Sequence, residues 1–266
     1  MTRGKDGGGY TEPMGSDRSK RRRLVALGGA ASLAYIALAL QGHVPGGWRL
    51  RTLITSPAEL AEKARRAHRA ERLAAFAAER VEAGGVLFIG SSTIEFFDLE
   101  AAFPGANAVN RGIGDEDLAG LTARFADTLE STACGAVVLY AGSVDFRRHE
   151  SRPEEVAQGV ERLLGAVTEH DPEAHVLLMG ILPERAMSPT MGRRLTATNA
   201  ALEALAAPRP LVSFVNTSRP PVVSPTSMRL QRHMSRDSVH LNEGGYINAV
   251  SWLLAADEVV ARRLRP

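Results

Sequence analysis

The feature that most narrows what this chain can fold into is a repeated alternation of short apolar runs with amphipathic stretches. Residues 86–90 read Val-Leu-Phe-Ile-Gly, further runs of this kind occupy 136–141, 175–181 and 211–215, and a short strand with two asparagines is expected at 106–110. Continuous apolar runs this short suit strands covered on both faces, where helices on either side leave no wet face for polar side chains. Between the runs the sequence predicts helices. Ser56-Pro57-Ala58-Glu59 opens the first, with serine as cap, proline in the first turn and glutamate reaching back; it runs to about residue 82, and Gly84-Gly85 ends it. Asp115-Glu116-Asp117 places negative charge on the first turn of a second, through about residue 130, where the helix dipole favours it. Ser151-Arg152-Pro153-Glu154 opens a third as a capping box, a fourth covers 193–207 and a last one 243–263. The fold class expected is α/β: a three-layer α/β/α flavodoxin-like domain with a five-stranded parallel sheet and right-handed crossovers. The first helix is expected to pack across the sheet.

Open parallel sheets bind their ligands beyond the carboxyl ends of the strands. The first run ends abruptly in Gly90-Ser91-Ser92-Thr93, which makes Ser92 the candidate nucleophile. A serine is inert unless a base takes its proton, and the base needs a carboxylate to fix its tautomer. Arg236-Asp237-Ser238-Val239-His240-Leu241-Asn242 offers both. With two residues between them, Asp237 can accept from one imidazole nitrogen of His240 while the other faces a serine. An isolated pair of this spacing is more often a surface turn, and its company is what makes it a site. Ser92, Asp115 and Val144 each follow a different strand, and Asp237 and His240 lie in the connection after the fifth, so all five can meet on one edge.

Gly90-Ser91-Ser92, then Asn110-Arg111-Gly112-Ile113-Gly114, then Tyr140-Ala141-Gly142-Ser143-Val144-Asp145, and finally Asp237-x-x-His240-Leu241-Asn242 resemble the SGNH/GDSL hydrolases in order and spacing, from about residue 57 to the C-terminus. The resemblance implies ester hydrolysis with Ser92 as nucleophile and Asp237 and His240 completing the triad, a chemistry that needs no cofactor. It also implies an oxyanion hole drawn from Ser92, Gly114 and Asp115. Two positions depart from the family pattern. Asp115 stands where a glycine usually offers its backbone N–H, which is tolerable if Asp115 adopts the backbone angles a glycine allows. Val144 stands where an asparagine usually donates from its side chain, and valine donates nothing. Loss of one such donor costs on the order of 10²–10³ in turnover, so a slow esterase or a replacement donor is expected, with Ser143 as the candidate. The rival reading is a catalytically silent SGNH-fold protein that binds an envelope glycan or a protein partner.

The chain of 266 residues, 44% of them apolar, can bury one such domain and carry a short extra segment. Its net charge is +2, but residues 1–23 hold seven basic and three acidic side chains, +4, leaving 2 − 4 = −2 for the remainder. Nucleic-acid binding by the folded part therefore has no electrostatic basis. Residues 1–23 read as a disordered basic tail. Residues 24–41 read as a transmembrane anchor or a signal segment: the basic cluster at 20–23 precedes the seventeen uncharged residues 24–40, long enough as a helix for about 26 Å. Ala37-Leu38-Ala39 would serve as a cleavage site, and Arg21-Arg22 also permits a twin-arginine signal. Either way the catalytic part is expected outside the cytoplasm, as a single-pass membrane protein or as a secreted or periplasmic one. Residues 42–55 form a linker, and 56–266 the hydrolase domain. Small-molecule, glycan or lipid esters are the expected substrates.

Other signals point elsewhere or nowhere. Cys134 is the only cysteine, so no intrachain disulfide can form. His233, Asp237 and His240 do not have a defensible metal spacing. No dinucleotide fingerprint, phosphate loop or Gly-x-Ser-x-Gly elbow is present. Arg147-Arg148-His149 reads as an anion contact or a solvated run, and residues 216–236, with Pro220, Pro221 and Pro225, as a long irregular loop that is either a lid or a cover for the core.

Overall fold

The computed structural model describes residues 35, 36, 38, 56–79 and 81–265. Expectations for the basic tail, most of segment 24–41 and the linker therefore lie outside the described residues. Among the described residues no helix is long and apolar enough to cross a membrane. The chain divides into two compact units, Met1–Arg66 and Ala67–Pro266. In the first, Ser56 and Glu59 close the expected capping box, the Ser56 N–H donating to the Glu59 carboxylate at 2.8 Å and the Glu59 N–H to the Ser56 hydroxyl at 3.2 Å. This box opens helix α1 (Pro57–Ala78).

The second unit holds five parallel strands: β1 (Val86–Gly90), β2 (Ala108–Gly112), β3 (Ala136–Tyr140), β4 (His175–Met179) and β5 (Val212–Val215). Their order is β2-β1-β3-β4-β5, with Val86 facing Ala108 on one side and Ala136 on the other. The chain thus leaves β1 for one edge and returns beyond it, which puts the topological switch point at the carboxyl ends of β1 and β3.

Alternate side chains feed two cores, one on each face. Leu87, Ile89, Val137, Leu139, Val176 and Leu178 pack under α4 (Leu118–Thr132), α6 (Pro153–His170) and α7 (Pro189–Ala206), together with the short α5 (Ser143–Arg148). Val86, Phe88, Val138, Tyr140, Leu177 and Met179 face the short helices α2 (Ser92–Glu95) and α3 (Leu99–Ala102) and the terminal helices α8 (Glu243–Ala256) and α9 (Glu258–Arg263). Both faces are dry, which is why the central strands carry no polar alternation.

Several local expectations shift. Strand β2 begins two residues later than the run at 106–110 suggests, because its start folds into a local turn, the Ala108 N–H donating to the Ala106 carbonyl at 2.9 Å. It also includes the polar Asn110 and Arg111, which an edge strand accommodates: Arg111 is buried against Glu79 and lies 4.8 Å from the Phe76 ring centroid. Asp117 is the cap of α4, its carboxylate accepting the Gly120 N–H at 2.8 Å, so Asp115 and Glu116 precede the helix instead of filling its first turn. The box opening α6 sits one residue on, the Arg152 N–H donating to Glu155 at 2.8 Å in place of the Ser151 and Glu154 pairing. Helix α7 starts at Pro189, not 193, capped by Ser188, which accepts the Met191 N–H at 3.2 Å. The last helix breaks at Asp257, whose carboxylate caps α9 through the Val259 and Val260 N–H groups at 2.9 and 3.0 Å and meets His175 at 2.8 Å. Helix α1 buries no residue. From Ala67 onward it approaches the β2 edge through arginines and a histidine, so the expected packing across the sheet does not occur.

Candidate active site

Ser92 opens α2 directly after β1 and is 8% exposed. The short helix is held from both sides. The Asn110 amide donates to the carbonyls of Ile94 at 2.7 Å and Phe97 at 3.0 Å. The Tyr246 hydroxyl, from α8, donates to the Thr93 carbonyl at 2.8 Å, and burial pushes its phenol well above the ordinary tyrosine range, so it stays a neutral donor. Gly112 lies where the backbone of α2 passes, since a Cβ there would fall 2.2 Å from the Glu95 nitrogen. Only a glycine lets the second motif come this close to the nucleophile loop.

The opposite wall is the turn before α8. Asp237 builds an Asx turn, its Oδ1 accepting the N–H groups of Val239 and His240, both at 2.8 Å. The Ser235–Leu241 bridge and the Arg236 N–H to the His240 carbonyl, at 3.0 Å, close the turn, and the Arg185 N–H reaches the Ser238 carbonyl at 2.9 Å from the loop after β4. In this frame His240 Nδ1 lies 2.7 Å from Asp237 Oδ2, and Nε2 lies 2.9 Å from Ser92 Oγ. Phe96 stands edge-on to the imidazole, with ring centroids 5.0 Å apart, and Arg236 lies over the Phe96 ring at 4.6 Å. Partial burial raises the Asp237 carboxyl, but the His240 imidazole and the two backbone N–H groups outweigh it and hold the group at about 2. Asp237 is therefore ionised throughout the neutral range.

Asp115 has φ +66°, the left-handed conformation in which glycine is at home. Its carboxylate pairs with Arg148. The neighbouring Gly114 N–H is taken by the Glu95 carboxylate, which removes Gly114 from the free donors. Ser143 is fully buried with its hydroxyl 2.9 Å from that of Ser91, so the candidate replacement donor already has a partner. Val144 is 4% exposed in the first turn of α5. Asp145, beside it, accepts the Leu118 N–H at 2.9 Å and thereby ties α5 to α4; burial pushes its carboxyl up.

The basic run after the third motif meets carboxylates: Arg147 lies 3.7 Å from Glu184, Arg148 pairs with Asp115, and His149 lies 3.2 Å from Asp117. Among the described residues no group of three His, Cys, Asp or Glu side chains gathers to hold a metal ion. Glu95 and Phe96 went unnoticed in the sequence. The signal available was position alone, three and four residues past Ser92, at the end of the same short helix and at its cap.

Comparison with known proteins agrees with the fold. The model of the GDSL-like Lipase/Acylhydrolase family matches residues 95–246, more than half of the chain, beginning three residues after Ser92. The platelet-activating factor acetylhydrolase IB subunit alpha2 of Homo sapiens, and that of Bos taurus, are 25% identical over 166 residues, 60% of this chain and 70% of theirs. Among solved structures, one from Streptococcus pneumonia named for platelet activating factor superposes with a TM-score of 0.66 at 21% identity, over 74% of this chain and 95% of that one. A GDSL-like lipase from Bacteroides thetaiotaomicron gives 0.59 at 19% identity, over 72% and 96%. The Clostridium thermocellum family 3 carbohydrate esterase gives 0.54 at 14%, over 70% and 100%. At these identities the structural likeness is one of fold.

Proposed function

We propose, for a chain that belongs to the GDSL-like Lipase/Acylhydrolase family and is thus a hydrolase acting on esters, that Ser92, His240 and Asp237 carry the reaction as nucleophile, base and orienting carboxylate. The observation that carries this reading is the continuous line of contacts, Ser92 Oγ to His240 Nε2 at 2.9 Å and His240 Nδ1 to Asp237 Oδ2 at 2.7 Å. It supports hydrolysis over a silent binding role.

In the neutral resting state the Ser92 hydroxyl donates to Nε2 and the Nδ1–H donates to Asp237. Ser92 Oγ attacks the acyl carbonyl carbon as its proton passes to Nε2, and the ionised Asp237 stabilises the imidazolium. The backbone N–H groups of Ser92 and Asp115 hold the oxyanion. Collapse expels the alcohol, which takes the proton from Nε2. Water, deprotonated by His240, then attacks the acyl-serine and releases the acid. With Val144 in the third motif, two main-chain donors do the work usually shared with an amide side chain.

A small acyl group on a lipid or carbohydrate alcohol is the substrate class supported by the relatives, an acetylhydrolase by name and a carbohydrate esterase in fold. The basic cluster at 20–23 and the uncharged run behind it support a location outside the cytoplasmic membrane, anchored or secreted. Protease protection in spheroplasts, together with absence of the protein from the released periplasmic and secreted fractions, would argue against that address. The chemistry is tested by hydrolysis of a short-chain aryl ester by the full chain beside Ser92→Ala and His240→Ala. Both variants are expected to lose at least about 10³-fold in turnover. A wild type no faster than Ser92→Ala, across several acyl lengths, sinks the proposal.

A further inference from the structure

Glu95 stands one turn after Ser92 but faces the second motif, with its side chain 11% exposed. Its Oε2 accepts the Gly114 N–H, and its Oε1 lies 3.0 Å from His68 Nε2 and 3.8 Å from Arg72 Nε. Arg72 donates further, to the Gly112 carbonyl, through Nε at 3.1 Å and Nη2 at 3.0 Å. His68 and Arg72 are four residues apart on α1, hence on one face of that helix. None of these three side chains has a part in the ester-hydrolysis steps, and none belongs to the apolar cores.

Their contacts converge on the segment that carries the Asp115 N–H. The Gly112 carbonyl is fixed by Arg72, the Gly114 N–H by Glu95, and the Asp115 carboxylate by Arg148 on α5. Asp115 itself is in the left-handed region at φ +66°, a conformation that an aspartate leaves readily unless its neighbours are held. Gly114 is wedged between the two sides, since a Cβ there would lie 2.8 Å from Glu95 Oε2 and 3.8 Å from the Ser92 Cβ. A bare carboxylate bound to the segment that supplies an oxyanion donor would oppose the build-up of negative charge there. Here the Arg72 guanidinium, 3.8 Å from Glu95 Oε1, stands as a counter-charge.

We infer that Glu95, itself held by His68 and Arg72, is the positioning residue that aims the Asp115 N–H at the oxyanion. Helix α1 from Ala67 onward is then part of the active-site support, a role the sequence assigned to packing. The inference rests on the hydrolase reading through Ser92. It also fits the loss of a side-chain donor at Val144: with fewer donors, the aim of each one matters more.

The test uses the full chain and the variants Glu95→Ala and Glu95→Gln, with Leu129→Ala as a core-weakened comparator outside the site. Two quantities are measured: kcat and KM on a short-chain aryl ester, and hydrogen exchange of the amides in residues 112–116. Glu95→Ala is expected to lower kcat by about 10–100-fold with KM changed less than about twofold, a part of what removing an oxyanion donor outright costs. Glu95→Gln keeps an acceptor for the Gly114 N–H and is expected to recover to within about fivefold of the wild type. Exchange at 112–116 should quicken in Glu95→Ala and stay slow in Leu129→Ala. Unchanged kcat in Glu95→Ala, or unchanged exchange at 112–116, overturns the inference. A wild type no faster than Ser92→Ala would instead sink the hydrolase reading, while the exchange data would still decide whether Glu95 holds the loop.

Discussion

Asp237 and His240 are bound to each other twice, by the carboxylate on Nδ1 at 2.7 Å and by the same carboxylate on the His240 backbone N–H at 2.8 Å. The turn that orients the imidazole is therefore made by the group that stabilises it. Because the Asp237 carboxyl is held at about 2, against about 3.9 in an unfolded chain, its stabilising contribution is complete above pH 4 and is lost as the pH falls towards 2. The stability difference between wild type and Asp237→Asn, read as urea midpoints below pH 5, should narrow across that interval. A difference that stays constant from pH 4 to 2 would contradict the assignment. Turnover of Asp237→Asn at neutral pH should fall by about 10⁴-fold, the loss seen when the equivalent carboxylate of a serine protease becomes an amide.

Phe96 is the other group that fixes His240, with the ring edge-on at 5.0 Å and Arg236 stacked over it at 4.6 Å. An aromatic pair of this geometry contributes about 0.5–1.5 kcal/mol beyond its buried area. Phe96→Ala should lower kcat by about 2–10-fold, while Phe96→Leu, which keeps bulk but not the ring, should fall between it and wild type. Steady-state kinetics on the aryl ester separates the three. Equal rates for all of them would leave Phe96 with no part in placing the imidazole.

The sheet was legible because burial on both faces forces continuous apolar runs, as in Val86–Gly90 and Ala136–Tyr140. The Asp237 and His240 pair was legible because its geometry is local, a single turn with two residues between. What the sequence hid depends on partners distant along the chain. Glu95 meets His68, 27 residues earlier, and no periodicity marks that contact. Gly114 occupies a donor position in its motif, yet nothing in the motif tells that the Glu95 carboxylate, on α2, takes its N–H. The capping box at α6 moved by one residue because Ser151 and Arg152 are both followed three residues on by a glutamate, and the sequence does not say which pair closes.

Glu116, which the sequence places on a helix's first turn, instead precedes the helix as a buried anion. Its side chain, 2% exposed, lies 2.6 Å from Arg124 Nη2 and 3.2 Å from Arg69 Nε. Removing one member of such a cluster strands the others in a poor solvent for charge, at about 3–5 kcal/mol. Glu116→Ala should therefore lower the unfolding free energy by about that amount, measured by urea denaturation. Arg124→Met combined with Glu116→Leu should recover most of the loss, because the buried cation is then gone and the remaining Arg69, 38% exposed, can reach solvent. A double variant no more stable than Glu116→Ala would mean that the ion pair itself stabilises the fold.

Val144 is the residue whose replacement tells most about the oxyanion hole. It is 4% exposed in the first turn of α5, the Gly114 N–H is taken by Glu95, and the Ser143 hydroxyl is paired with that of Ser91. An asparagine there, smaller than valine and unbranched at Cβ, brings an amide donor to the carboxyl edge of β3, where the switch point lies. If the hole lacks a donor, Val144→Asn should raise kcat by up to about 10²-fold with little change in KM, since a group that bonds only the developing oxyanion acts on the transition state. The substitution also places a polar amide where an apolar side chain was buried, so a loss of about 1–3 kcal/mol in stability is expected alongside the gain in rate. Unchanged or lower turnover from a folded variant would show that the Ser92 and Asp115 N–H groups already suffice, and that the rate is limited by another step.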